Sequence, residues 1–204
     1  MYWHKNRFLV QWLYPSFTWH KSRSEKNIYL TFDDGPIPEV TEWVLQMLQQ
    51  YNAKATFFCV GDNIHKHPQV YEQVKKAQHS LGNHTFNHLN GWKTTKELYL
   101  DNVEKFRILA GNEVKLFRPP YGKITRQQAA IIRKTDQIVM WDVLSGDFDQ
   151  NLSPADCLHQ SVKHTENGSI IIFHDSLKAW RNLEYVLPRY LKHFYSLGYT
   201  FGKL

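Results

Sequence analysis

Two aspartates stand side by side at the end of an apolar run in YLTFDDGPIPEV, residues 29–40, and the chain turns at once through Gly35 and Pro36. Adjacent carboxylates repel one another, and Asp, Gly and Pro punctuate turns wherever they meet. A turn is therefore one reading of Asp33 and Asp34, and a site is the other. Downstream, NHTFNH at 83–88 sets His84 and His88 four residues apart, a spacing that on a helical turn aims both imidazoles the same way. Two imidazoles with one carboxylate form a ligand set suited to zinc, with positions left for water and substrate. Eleven histidines in 204 residues produce such spacings by chance, so the pair gains weight only with an aspartate on the same rim. FRPPYG at 117–122, SGDFD at 145–149 and FHDS at 173–176 are three further polar clusters, each at the end of a β-prone run.

What must position these residues is a regular alternation of elements. β-prone runs recur at NIYLTF, KATFFCV, a short SLGN, VKLFR, QIVMWDV, SIIIFH and YTFGKL. Between them apolar residues fall with helical spacing: Val40, Trp43, Val44, Met47, Leu48 and Tyr51 mark one face of a helix over 38–51. A second helix over 68–78 gathers Val70, Tyr71, Val74 and Ala77, with Pro68 suited to its first turn. Further helices are expected over 96–110, 125–135, 153–164 and 182–197, the last kinked or restarted at Pro188. This alternation predicts a parallel sheet covered by helices. The sheet is closed or nearly closed as a barrel, with an open doubly wound sheet as the alternative. In such folds sites assemble at the carboxyl ends of the strands, where all five polar clusters fall.

With 204 residues, 42% hydrophobic and 22% charged, the composition is that of one soluble globular domain. The net charge of +6 comes from scattered basic residues without a nucleic-acid motif, so it reads as a solvated basic surface and no specific nucleic-acid partner is expected. Cys59 and Cys157 offer no framework of paired spacings, and Cys59 in ATFFCVG reads as a buried thiol. The first 25 residues are rich in aromatics but broken by Gln11 and Pro15, too short for a membrane span and without a secretory cleavage site. They are expected to form an extension packed across one end of the domain. Their aromatic segment behind Lys5 and Arg7 leaves peripheral membrane contact open.

TFDDGP, HTFNH, RPPYG, Asp147-Phe148 and IIIFHD follow one another in the order and approximate spacing of the polysaccharide deacetylase family, the NodB-homology domain of carbohydrate esterase family four, which residues 26–204 resemble. The resemblance implies an α/β fold, a distorted and incomplete (β/α)7 barrel with parallel strands inside and helices outside. It implies a metal-dependent deacetylase that removes the N-acetyl group from N-acetylglucosamine units of peptidoglycan, chitooligosaccharide or a similar glycan. An O-acetyl carbohydrate esterase and a non-catalytic glycan-binding protein are the alternatives. One divalent ion is implied, Zn2+ first and otherwise Co2+, Mn2+ or Ni2+, with Asp34, His84 and His88 as its ligands. Asp33 becomes the general base towards a water whose pKa the metal can lower from about 15.7 to ~7.

By the same resemblance the backbone N–H of Tyr121 meets the developing oxyanion, in a loop stiffened by Pro119 and Pro120. Arg118 pairs with Asp33, His174 is the general acid, and Asp147 stabilises its imidazolium form. Thr85 bonds within or shapes the metal loop, and Asp175 is expected to cap the following helix. The family commonly has Trp after the aspartate aligned to Asp147. Phe148 keeps an apolar ring but lacks the indole N–H, which bears on substrate placement. Phe148, Pro119, Pro120, Trp141 and Trp180 make up the expected substrate-binding set, with Trp92 a further aromatic near the motifs. A monomer is expected. The substrate class points to the cell envelope or beyond, while the absence of a signal sequence points to the cytoplasm.

Overall fold

Asn27–Asp33 is a nearly continuous apolar run, and it forms the strand β1 near the centre of a parallel sheet. The computed structural model describes residues 3–5 and 8–204. Before β1 comes the helix α1 (Phe8–Leu13), and after it α2 (Val40–Gln50), β2 (Thr56–Cys59), α3 (Gly61–Lys66), α4 (Pro68–Lys76) and β3 (Ser80–Asn83). Then follow α5 (Lys96–Ala110), β4 (Leu116–Phe117), α6 (Arg126–Ile132), β5 (Gln137–Ile138), β6 (Val143–Leu144), α7 (Pro154–His164), β7 (Ile170–His174), α8 (Trp180–Ser196) and β8 (Thr200–Gly202). The strand order is β5-β4-β3-β2-β1-β7-β6, with β8 beside the start of β1, and the pairings are parallel. The sheet curls into an incomplete barrel with helices around it.

Burial on both faces explains the lack of polar alternation: β2 is buried throughout, and β7 at all but its last residue. Phe32, Phe57 and Phe173 stack between the sheet and α2, α7 and α8, whose inward faces supply Val44, Leu48, Cys157, Leu187 and Tyr190. Side-chain caps start several helices where the sequence places Ser or Thr before an apolar run: Thr95 for α5, Thr125 for α6 and Ser153 for α7. Helix α8 departs from expectation. It runs without a break through Pro188, because buried residues on both sides of the proline (Leu183, Val186 and Leu187, then Tyr190, Leu191 and Phe194) fix one continuous face.

The run QIVMWDV does not form one strand. It divides into β5 and the start of β6, at opposite ends of the sheet path, and residues 139–142 cross the gap. Two open edges facing one another need partners, and the N-terminal segment supplies them. Thr18 bridges Val139 in parallel and Lys5 bridges Val143 antiparallel. The supporting backbone bonds are Thr18 N–H to Ile138 (2.9 Å), Met140 N–H to Thr18 (2.7 Å) and Leu144 N–H to His4 (2.9 Å). Phe17 and Trp19 are buried in the cluster formed with Tyr99, Ile132 and Met140. Asp142, fully buried, accepts from Arg23 (2.8 Å), Lys5 (3.2 Å), Ser169 Oγ (3.1 Å) and the Ile170 N–H (2.9 Å). The described part of the extension thus lies along the open seam rather than across one end. No helix among the described residues is long and apolar enough to cross a membrane.

Candidate active site

The carboxyl ends of β1, β3, β4, β6 and β7 deliver the five polar clusters to one edge of the sheet. Asp33 is the last residue of β1, and Asp34 takes a left-handed backbone, φ 83°. That turn is clamped by Asp175, whose carboxylate accepts from the Gly35 N–H at 3.0 Å and from Thr41 Oγ1 at 2.6 Å. A Cβ at position 35 would lie 1.9 Å from Asp175 Oδ2, so the position requires glycine. Asp175 therefore anchors the Asp33-Asp34 turn and does not cap α8, whose N-cap is Ala179 without a side-chain bond.

His84 and His88 converge, but not on a helical turn. Residues 84–88 form an irregular loop in which Thr85 (φ 62°) and His88 (φ 55°) are left-handed. Side chains hold this shape: Asn83 Oδ1 accepts the Thr85 N–H (2.8 Å), Asn102 Oδ1 on α5 accepts those of Phe86 (2.9 Å) and Asn87 (2.8 Å), and Thr85 Oγ1 accepts that of Leu89 (3.1 Å). Sequence reasoning gave Asn83 and Asn102 no part. Asn83 sits inside the quoted motif, whereas Asn102, midway along an amphipathic helix, gives no local signal.

The donor atoms of Asp34, His84 and His88 lie within 4.8 Å of one another. His84 Nδ1 is 2.8 Å from the carbonyl oxygen of Arg118, which can only accept, so that nitrogen carries the proton and Nε2 presents a lone pair. Burial, only partly opposed by Asp33, lowers the His84 pKa to about 4 and keeps the ring neutral. Its Nε2 then faces Asp34 Oδ1 at 3.8 Å and Asp33 Oδ2 at 3.9 Å, acceptor against acceptor. Asp34 Oδ1 is buried without a well-aligned hydrogen-bond donor among the described residues, and His88 Nε2 is 3.1 Å away. Burial would raise the Asp34 carboxyl, but His88, His174 and His84 hold it well below the usual carboxylate range. Lone pairs converging on an orphaned carboxylate oxygen fit a divalent cation. His88 Nδ1 lies 3.1 Å from the Tyr121 hydroxyl, an outer contact that orients the ring.

Arg118 is fully buried and spends its guanidinium on Asp33 Oδ1 (2.7 Å), Thr31 Oγ1 (2.7 Å) and the carbonyls of Met140 (2.8 Å) and Val139 (3.3 Å), over the face of Phe58. A surface ion pair it is not. Tyr121 is left-handed (φ 59°) at the RPPYG turn, and its N–H has no acceptor among the described residues. His174 ends β7. Asp147, fully buried, takes its Nδ1–H at 2.7 Å through one oxygen and its backbone N–H at 2.7 Å through the other. Burial alone would lower the His174 pKa. The charge and hydrogen bond of Asp147, with Asp34 and Asp33 beyond, raise it to about 9.

Asp33, Asp34, His84, His88, Tyr121 and His174 share a cleft of about 570 Å3, lined also by Pro119, Trp141, Leu144, Phe148 and Ile172, while Arg118 and Asp147 are fully buried outside its lining. Two expected substrate contacts lie outside its lining. Pro120 is buried within the turn, and Trp180 packs edge-on against Trp43 at 5.1 Å, where α8 meets α2. Phe148 stands edge-on to His174 at 5.2 Å. Trp92 is exposed outside the lining, its indole N–H donated to Ile124. A larger groove of about 830 Å3, beside α2 and α4, contains none of the site residues.

The sequence model of the polysaccharide deacetylase family matches residues 20–138. A peptidoglycan-N-acetylglucosamine deacetylase of Bacillus cereus is 33% identical over 189 residues, 90% of this chain and 89% of that protein. A chitooligosaccharide deacetylase of Azorhizobium caulinodans is 32% identical over 164 residues, 76% of each. Among solved structures, that of a peptidoglycan N-acetylglucosamine deacetylase in complex with 4-naphthalen-1-yl-N-oxidanyl-benzamide superposes with a TM-score of 0.88 at 28% identity, covering 98% of this chain and 95% of that one.

Proposed function

Since the chain belongs to the polysaccharide deacetylase family, we propose that it hydrolyses the N-acetyl group of N-acetylglucosamine units in a glycan and releases acetate. The observation that carries this reading is the meeting, in one cleft, of a three-ligand cluster, a separately paired carboxylate and a histidine–aspartate dyad.

Asp34, His84 and His88 would hold one divalent ion, Zn2+ in the first instance on the strength of its imidazole and carboxylate ligands. When bound, the ion supplies Lewis acidity and eases deprotonation of water. Asp33, paired with Arg118 at 2.7 Å, is fixed and aimed by that contact, and takes a proton from the attacking water. The Tyr121 N–H donates to the oxygen on which negative charge develops. His174, held in its protonated form by Asp147, donates to the departing nitrogen, which leaves poorly as an anion. Pro119, Trp141 and Phe148 form the wall against which the sugar ring rests.

The test is acetate release from N-acetylated chitooligosaccharide, peptidoglycan and acetylxylan, with metal stripped and then restored. Release from the first two that is lost with chelation and recovered with Zn2+ supports the reading. Release from acetylxylan alone replaces it with O-acetyl ester hydrolysis.

A further inference from the structure

The cleft carries charge that the proposed chemistry does not use. Lys123, just after the RPPYG turn, and Lys178, between β7 and α8, both line it. Each ammonium sits near an aromatic ring: Lys123 Nζ is 5.4 Å from the centroid of Trp92, and Lys178 Nζ is 5.7 Å from that of Phe148. Such seats position a lysine without neutralising it. Asp33 and Asp34 are the carboxylates of the lining. The first is committed to Arg118 and the second to the histidine pair, so neither ammonium has an acidic partner among the described residues. The lysines approach from opposite flanks, since β4 and β7 lie on opposite sides of β1 in the sheet.

Unpaired charge of one sign inside a concave wall focuses a field on whatever enters. A neutral chain of N-acetylglucosamine makes no use of that field. A chain in which the sugars on either side of each N-acetylglucosamine bear carboxylates meets one lysine on each flank. We infer that Lys123 and Lys178 make this cleft selective for an anionic glycan, one with carboxylates flanking the reacting N-acetylglucosamine, as in strands whose muramic acid carboxylates are free. The inference rests on the deacetylase reading and adds the charge class of its substrate. Contacts of this exposed kind change KM and on-rate more than kcat, and they weaken with salt.

The experiment compares one peptidoglycan-derived oligosaccharide with free carboxylates against the same oligosaccharide after amidation of those carboxylates. Wild type and the variants Lys123→Gln, Lys178→Gln and the double variant are each loaded with Zn2+. At low salt the wild type is expected to favour the charged form in kcat/KM, by roughly 5- to 25-fold and mainly through KM. Each substitution lowers that preference about two- to fivefold, the size of an exposed ion pair, and the double variant abolishes it. Added salt should erase the wild-type preference too. Equal handling of both forms by the wild type, or a preference that survives in the double variant, overturns the inference while the deacetylase reading stands. Failure of the wild type to release acetate from either form, or from neutral chitooligosaccharide, overturns both.

Discussion

Replacing Asp147 with Asn tests whether one buried carboxylate makes His174 an acid. Burial opposes protonation of that imidazole, yet its pKa is raised from 6.5 to about 9, chiefly by the charge and hydrogen bond of Asp147. At ~1.36 kcal/mol per tenfold step, the interval corresponds to roughly 3 kcal/mol of preference for the protonated ring. Asn keeps the shape and loses the charge. It also offers one acceptor where Asp147 offers two, at 2.7 Å to the ring and 2.7 Å to the His174 N–H. With the backbone N–H bound to its oxygen, the amide turns an N–H towards Nδ1 and favours the neutral ring. The His174 pKa should then fall below about 6.5. The protonated fraction at pH 7 drops from about 99% to under about a quarter, and the deficit grows to roughly 10²-fold near pH 8.5. The loss of kcat/KM should therefore be slight at pH 5.5 and steep above pH 7, with the alkaline limb displaced towards acid. A cation bound at Asp34 lowers the His174 pKa in both proteins, so the displacement between them is the quantity to measure. Acetate release from pH 5.5 to 9.5 and NMR titration of the metal-free imidazole supply it. A loss equal at every pH, with His174 titrating unchanged, would refute the reasoning.

Other consequences follow from the same geometry. Asp33→Asn should retain the metal and lose about 10²–10⁴-fold in rate, whereas Asp34→Asn should lose metal first; equal metal loss in both, by elemental analysis after dialysis, reverses the assignment. His174→Ala should slow amide hydrolysis far more than hydrolysis of an activated acetate ester, because an alkoxide leaves with less help; parallel losses on the two substrates would make the residue structural. Asp142→Ala should cost about 1–3 kcal/mol, chiefly by leaving the buried Ile170 N–H and Ser169 hydroxyl without their acceptor, while Lys5 and Arg23 keep Glu166. Denaturant unfolding measures that cost, and early proteolytic cleavage within residues 1–25 should accompany it.

Much of this site was legible because its chemistry lies next to strong local signals. Apolar runs ending in DD, NH, FR and FHD marked the strand ends, and a parallel sheet brings such ends together whatever the details of its closure. What was not legible depended on contacts distant in sequence. QIVMWDV has the composition of one strand, and only the open seam, with the N-terminal segment along it, divides it in two. The four-residue spacing of His84 and His88 suggested a helix, but Asn102, on a different element, holds the loop in left-handed turns instead. Trp180 lies near FHDS in sequence, yet its helix turns it towards Trp43. Asp175 looked like a local cap because its true partners, Gly35 and Thr41, are 140 and 134 residues away.

The adjacent aspartates now have a physical account. Two ionised carboxylates on neighbouring residues are tolerable only if the backbone separates them and each has its own cationic partner. The backbone does so by ending β1 at Asp33 and turning left-handed at Asp34, a conformation costing on the order of 1–3 kcal/mol for a residue other than glycine. Asp175 stabilises the turn through the Gly35 N–H, at a position where any Cβ would collide with it. Asp33 is directed to Arg118, and Asp34 to the histidine lone pairs and the cation they fit. A buried guanidinium bound to one carboxylate, one hydroxyl and two carbonyls cannot follow Asp33 elsewhere. Arg118→Lys would keep the charge but lose most of that fork. The arrangement thus predicts that Arg118→Lys lowers the rate while leaving metal affinity nearly intact, since Asp34 and both histidines keep their supports. Strong metal loss in that variant would mean that the two carboxylates act as one ligand pair, and the division of labour proposed for them would fail.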